Sequence, residues 1–405
     1  MSVSESSRNT FRMMLFLRFL IVGATFPAIS LWAVEQWDNK ELVGYLMGVI
    51  ALASLLGQQM WGYLADMVWP RRRILLMNIA AAMVLLAINS QLTSVSLFLL
   101  TWFCIAFFMT PINPMMNAII MGSEHGRGQY SGIRAWGTVG FVFACFGSGL
   151  FADRYGTNWV AYPLALIGGT LTWLWFWKVH TPHVPPKRHV PFIQVQRFFL
   201  SRRHFVWFIL ALFLNRFAHG PMMLFQMFRA KDLAPVGWEN RAATSLFVVG
   251  SIAEVLVFFF GDRLLRRFGE LRLLAWATGI AVVRFALVPL LSLPWLISLN
   301  VLHAATFGLF YLASVSWMHR HTPEPIKTSA QTLHTMIFFG LSPLLGNPLF
   351  GRLYERFGDT HQIAIFWGGS LVILASMILL IGAMRAEPVG PPEKLPIPGE
   401  TPAGQ

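Results

Sequence analysis

Long apolar runs separated by short polar stretches recur along this chain almost from end to end. A helix needs roughly 17 to 25 apolar residues to cross about 30 Å of hydrocarbon. Runs of that length lie near 11–34, 41–64, 73–90, 95–119, 131–152, 159–178, 205–229, 241–262, 271–291, 293–318, 330–351 and 361–384. Their even spacing predicts twelve transmembrane helices joined by short loops. The first run is read as helix one and not as a signal peptide, because eleven more follow it.

Composition agrees with this reading. The 405 residues are 56% hydrophobic and 12% charged, with a mean hydropathy of +0.57. A water-soluble core cannot hide so much apolar surface, so lipid is the expected solvent. The net charge of +13 could suggest nucleic acid, but the basic residues are sorted by loop. Arg71, Arg72 and Arg73, then Arg263, Arg266 and Arg267, then Lys187, Arg188, Arg197, Arg202 and Arg203 all fall on one side if both termini are cytoplasmic, which reports topology. No nucleic-acid partner is expected. Cys104 and Cys145 both lie in predicted spans and read as packing residues.

The polar, proline-bearing stretch 180–204 divides the chain. It predicts a six-helix bundle over 1–179, a cytoplasmic linker over 180–204, a second bundle over 205–385, and a disordered Pro- and Gly-rich tail over 386–405. Internal repetition supports the division. Gly62 and Asp66 followed by Arg71 at the end of span two are echoed by Gly261, Asp262 and Arg263 at the end of span eight. Asp153-Arg154-Tyr155-Gly156 after span five is echoed by Glu355-Arg356-Phe357-Gly358 after span eleven. Two pairs at nearly one offset indicate a parallel duplication.

The Gly-x-x-x-Asp pattern followed by Arg resembles the loop signature of the major facilitator superfamily. Gly23-Ala24-Thr25-Phe26-Pro27 resembles the start of lactose-permease-type symporters. Ile133 to Phe141 is similar to the fifth helix of nucleoside and phenylpropionate symporters, and Leu302 to Phe307 to the tenth helix of the phenylpropionate branch. The first loop departs from the pattern, with Met67, Trp69 and Pro70 where the superfamily has Arg, Gly and a further base. The resemblance implies an all-α membrane protein of two pseudo-symmetric six-helix bundles. In the loops, Gly62 and Gly261 are expected to permit close helix approach, while Asp66 and Asp262 pair with Arg71 and Arg263 or cap a helix end as a latch.

An ionised side chain near the bilayer centre costs at least about 2.5 to 3.5 kcal/mol, so it needs a partner and a use. Glu254, Arg284 and His303 fall in spans eight, nine and ten. Together they could form a nearly neutral cluster whose acid loads and releases a proton as Arg284 moves. The resemblance implies proton coupling and substrate binding for these positions. Sugar-type relatives carry an acid one turn after the histidine, where this chain has Thr306.

Polar stripes mark candidate solute contacts. Asn215, His219, Met222 and Gln226 share one face of span seven. Asn113 and Asn117 lie four apart in span four beside Pro111 and Pro114, which should kink it. Arg134 at the start of span five, with Thr306 and Phe307 in span ten, completes the set. Trp136, Phe310 and Tyr311 could add ring faces. Arg18 could equally snorkel or face a cavity, and Arg216 points away from the span-seven stripe by its spacing. Gln331, His334 and Thr335 read as interhelical hydrogen-bonding groups.

No HExxH, GxSxG or Cys/His cluster is present, so an enzyme is not expected, and neither is a metal or cofactor. The expectation is a monomeric secondary transporter in a bacterial-type inner membrane, with the lipid bilayer, protons and a small-molecule substrate as its partners. It would move an aromatic carboxylate such as a phenylpropionate, or a nucleoside, by proton-coupled alternating access. A sugar–proton symporter and an uncoupled facilitator are the alternatives, ahead of a membrane sensor.

Overall fold

The computed structural model describes residues 3–122, 130–177, 198–323 and 326–386. Among them there are helices and no strands, as lipid requires of a backbone that must satisfy its own N–H and C=O groups. The helices, here named α1 to α12, follow the predicted spans closely. The first six are α1 Val3–Trp37, α2 Glu41–Met67, α3 Arg71–Asn89, α4 Val95–Met109 resuming as Ile112–Gly122, α5 Tyr130–Tyr155 and α6 Thr157–Phe176. The last six are α7 Arg203–Asp232, α8 Glu239–Phe268, α9 Glu270–Leu287, α10 Leu293–His321, α11 Ser329–Gly358 and α12 Thr360–Ala386. Eleven of these are long and apolar enough to cross a membrane; the twelfth, α6, has 20 residues, about 30 Å of helix.

Sequence chemistry explains the interruptions. Pro111 and Pro114 lack the N–H that would continue the ladder, and α4 breaks between Met109 and Ile112. Arg18 turns its guanidinium inward and donates from Nη2 to the Met109 carbonyl at that break, 3.2 Å away. It is 4% exposed, so it closes the break and does not snorkel. The α8–α9 connection is the single residue Gly269 at φ +76°, a conformation that L side chains rarely adopt. Helices α11 and α12 run on through a kink at His361.

Within each half the helices pack side by side, α1 on α5 and α6, α2 and α3 on α4, and α7 on α11 and α12. The halves meet along two seams, α2 against α11 and α5 against α8. Glycines set both seams. A Cβ on Gly351 would stand 2.9 Å from the Gly44 Cα, and one on Gly149 would overlap Thr244 Oγ1. Large apolar side chains such as Phe143, Phe146 and Phe259 are exposed on the outside, where lipid is their natural solvent.

The described end of the expected linker is not polar coil. Phe198 and Phe199 are buried, and Phe199 packs 4.7 Å from Phe205, which abuts Trp317. The rest of the linker to residue 197, and the tail from 387, lie outside the described residues.

Candidate functional site

Several charged and polar groups of α7, α9 and α10 gather into one buried cluster. On α7, Arg216 Nη1 donates to His219 Nδ1 at 2.9 Å. A guanidinium has no acceptor, so Nδ1 must accept and the His219 proton sits on Nε2. The Arg216 guanidinium lies 4.3 Å from the Phe338 ring and 5.3 Å from Phe307. Arg284, on α9 and fully buried, donates to Thr306 Oγ1 at 2.7 Å and Asn300 Oδ1 at 2.6 Å. Gln226 Nε2 reaches the same Asn300 oxygen at 3.1 Å. The His303 ring stacks on Phe307 at 5.1 Å and stands 6.5 Å from His219.

The backbone here is unusual. Helix α10 tightens to a 3₁₀ turn at Asn300–Leu302 and widens to a π-helix over Ala304–Leu309. Facing it, α11 is π-helical over Met336–Leu341. Wide turns of this kind are rare and concentrate at functional sites. They carry Thr306, Phe307 and Phe338, all members of the cluster.

Glu254 is not paired with Arg284, which corrects the expected acid–guanidinium pair. It packs on the α8–α10 seam, where a Cβ on Gly308 would lie 2.9 Å from Glu254 Cγ. One turn away on the same seam, Gly250 abuts His303. Helix α8, which carries Glu254, also packs on α5 of the other half, which carries Arg134. Arg134 itself covers the Phe19 ring at 4.3 Å. Glu254 thus lies between α8 and α10, while Arg284 turns toward α7 and α10.

Other expected residues divide. Asn215, His219 and Gln226 do share the inward face of α7, and all three are buried. Asn113 and Asn117 are partly buried on the second segment of α4, apart from the cluster. Trp136 is 44% exposed, on the same outward stripe as Val139, Phe143, Phe146 and Leu150, so it is a lipid-side ring. Gln331 and His334 bond across to α10, at Val315 O and Ser314 Oγ.

In the loop signature, Gly261 is in close contact with Leu312, but Gly62 has open space around it, so it allows no close approach. The side chains of Asp66 and Asp262 lie outside the described residues; Arg71 is partly buried and Arg263 exposed. Arg216 and Asn300 are the site residues that sequence reasoning missed. Their signal was present, as an Arg three residues before His219 on one helix and a lone Asn within an apolar span.

The face opposite the start of α1 and the end of α12 is clasped shut across the halves. Asp153, at the end of α5, accepts from the backbone N–H of Asn240 at 2.8 Å and of Arg241 at 3.2 Å, and from Arg241 Nε at 2.8 Å. It thus caps the first turn of α8. In the mirrored place Glu355, at the end of α11, accepts from the Lys40 backbone N–H at 2.6 Å and caps the start of α2. These are the two carboxylates of the repeated Asp-Arg and Glu-Arg motifs. The pairs Lys231–Glu35 at 2.8 Å and Arg352–Glu41 at 2.9 Å flank them.

Comparisons with known proteins agree with this architecture. The model of the MFS_1 like family matches residues 9–364. Maltose permease of Geobacillus stearothermophilus is 23% identical over 394 residues, covering 96% of this chain and 97% of its own. The probable 3-phenylpropionic acid transporter of Escherichia coli is 25% identical over 373 residues, covering 90% and 94%. Among solved structures, the nucleoside transporter NupG superposes with a TM-score of 0.76 at 17% identity, over 94% of this chain and 98% of that one.

Proposed function

The chain belongs to the MFS_1 like family and is a multi-pass membrane transporter, and from that premise we propose that it moves a small polar solute by alternating access in symport with protons. The observation that carries this reading is the buried cluster of Arg216, His219, Gln226, Arg284 and His303. Charges withheld from water inside a membrane are costly to maintain and are kept where something polar must pass.

In this reading the halves rock about the seams α2–α11 and α5–α8, and the solute sits against α7, α9 and α10. With both termini in the cytoplasm, the clasped face is the outer one and the conformation is closed to the outside. Opening it requires Asp153 and Glu355 to release the helix starts they cap. Glu254 carries the proton. Rocking changes its distance from Arg134 across the seam, and that change loads and unloads the carboxyl. Arg284 and His303 belong to the solute side of the cluster. Asn113 and Asn117 face the solute from the first half in the opened state.

The test is uptake into proteoliposomes under an imposed pH gradient, with 3-phenylpropionate, uridine and maltose as solutes. Wild-type protein is expected to accumulate one of them uphill, and Glu254→Gln to abolish accumulation while retaining downhill exchange. Undiminished accumulation in that variant removes Glu254 from coupling. Downhill flux without gradient-driven accumulation in the wild type makes the protein a facilitator.

A further inference from the structure

We infer that the solute is a carboxylate, held by Arg216 and Arg284, with its apolar body against the Phe307 and Phe338 rings; this rests on the transport reading above and narrows its substrate class. Two guanidinium groups are buried in one cluster, Arg216 at 8% and Arg284 at 0% exposure. Every partner that either contacts is neutral: Thr306, Asn300, Met223 and His219, together with ring faces. Among the described residues no carboxylate, Glu254 included, stands within ion-pair distance of either. Buried charges are ordinarily paired; here no described residue supplies the countercharge.

The hydrogen-bond inventory points the same way. Arg216 Nε, Arg284 Nε and His219 Nε2 are buried and without a partner. The first two can only donate, and His219 Nε2 carries the ring proton because Nδ1 accepts from Arg216. The unfilled positions on these three groups are therefore donors; Gln226 Oε1 and His303 Nδ1 in the same cluster are also open. A carboxylate is an acceptor-only group with two oxygens and a negative charge, and guanidinium groups match it in geometry. A nucleoside or sugar hydroxyl brings donors of its own and leaves both charges unanswered. Asn215 Oδ1 and Nδ2, also buried and unpartnered, lie one residue before Arg216 and can meet a further polar group. The stacked rings of His303, Phe307 and Tyr311 form a flat apolar wall suited to a ring or short chain.

The experiment uses the full-length protein in nanodiscs and measures binding of benzoate, 3-phenylpropionate and 4-hydroxyphenylacetate against 3-phenylpropanamide, 3-phenylpropanol, uridine and maltose. At least one carboxylate is expected to bind at least tenfold more tightly than the neutral compounds. Arg216→Gln is expected to remove that preference and Arg216→Lys to retain part of it, with melting curves confirming that both variants fold. Binding of uridine, maltose or a neutral analogue as tightly as every carboxylate overturns the inference, as does carboxylate affinity unchanged in Arg216→Gln. Counterflow in proteoliposomes separates the two readings. Exchange of uridine or maltose alone sinks the carboxylate assignment and leaves the transport reading standing; exchange of no solute in the set sinks both.

Discussion

Asn300 shows how one neutral side chain can hold a buried cation in place. Its Oδ1 accepts from Arg284 and Gln226 at once, while its Nδ2 is spent on the Leu296 carbonyl. Removing the oxygen leaves a buried charged donor with one polar contact fewer, at a cost of about 2 to 3 kcal/mol. Asn300→Ala is therefore expected to lower the melting temperature of the purified protein clearly, and Asn300→Asp to restore it by supplying a countercharge. The same Asp variant should weaken carboxylate binding at least tenfold, because it neutralises the charge that the solute would answer. Stabilisation by Asn300→Asp with carboxylate affinity unchanged would detach Arg284 from the solute.

At the scale of elements, the two seams depend on small residues that allow backbones to touch. Helices α2 and α11 cross at Gly44 and Gly351, and α5 and α8 at Gly149. A branched side chain there has nowhere to go except by moving a helix. Gly44→Val is expected to part α2 from α11 on the clasped side and expose Phe247, which stands 5.7 Å from Phe26 across the halves. The readout is alkylation of a Phe247→Cys background by a membrane-impermeant thiol reagent, which should rise severalfold. Gly62 makes the contrast, because a Cβ there meets open space. Gly62→Ala should leave uptake within about twofold of wild type, the helix gaining roughly 0.5 to 1 kcal/mol in propensity.

The molecule as a whole is held closed at one face by contacts of unequal strength. Lys231–Glu35 and Arg352–Glu41 are partly exposed, and such pairs contribute about 0 to 1 kcal/mol each and weaken with salt. Asp153 is different: its side chain is 1% exposed, and it takes three donors at the start of α8. Charge-assisted bonds to a helix N-terminus are the stronger kind. In the same Phe247→Cys background, Asp153→Asn is accordingly expected to raise alkylation far more than Glu35→Gln does, and to slow net uptake by favouring the opened face. Equal effects of the two substitutions would assign closure to the general charge of that face and not to the cap.

Hydropathy alone located the twelve helices, because a helix in lipid must bury its backbone bonds within itself and must match the thickness of the hydrocarbon. It missed one end each of α1, α8 and α11 by six to eight residues. The repeat of Asp153-Arg154 in Glu355-Arg356 was equally legible, as was the inward stripe Asn215, His219 and Gln226. Tertiary structure decided which helices touch, and so which charges meet. Spacing within a span fixes a face of one helix and nothing about its neighbour. Glu254 therefore packed against Gly308 of α10 without pairing with Arg284, and Trp136 turned to lipid. The π-helical turns of α10 and α11 depart from the regular period on which such spacing arguments stand. Arg216 meets His219 through their spacing of three on one helix, but which ring faces of α10 and α11 its long side chain reaches was set by packing.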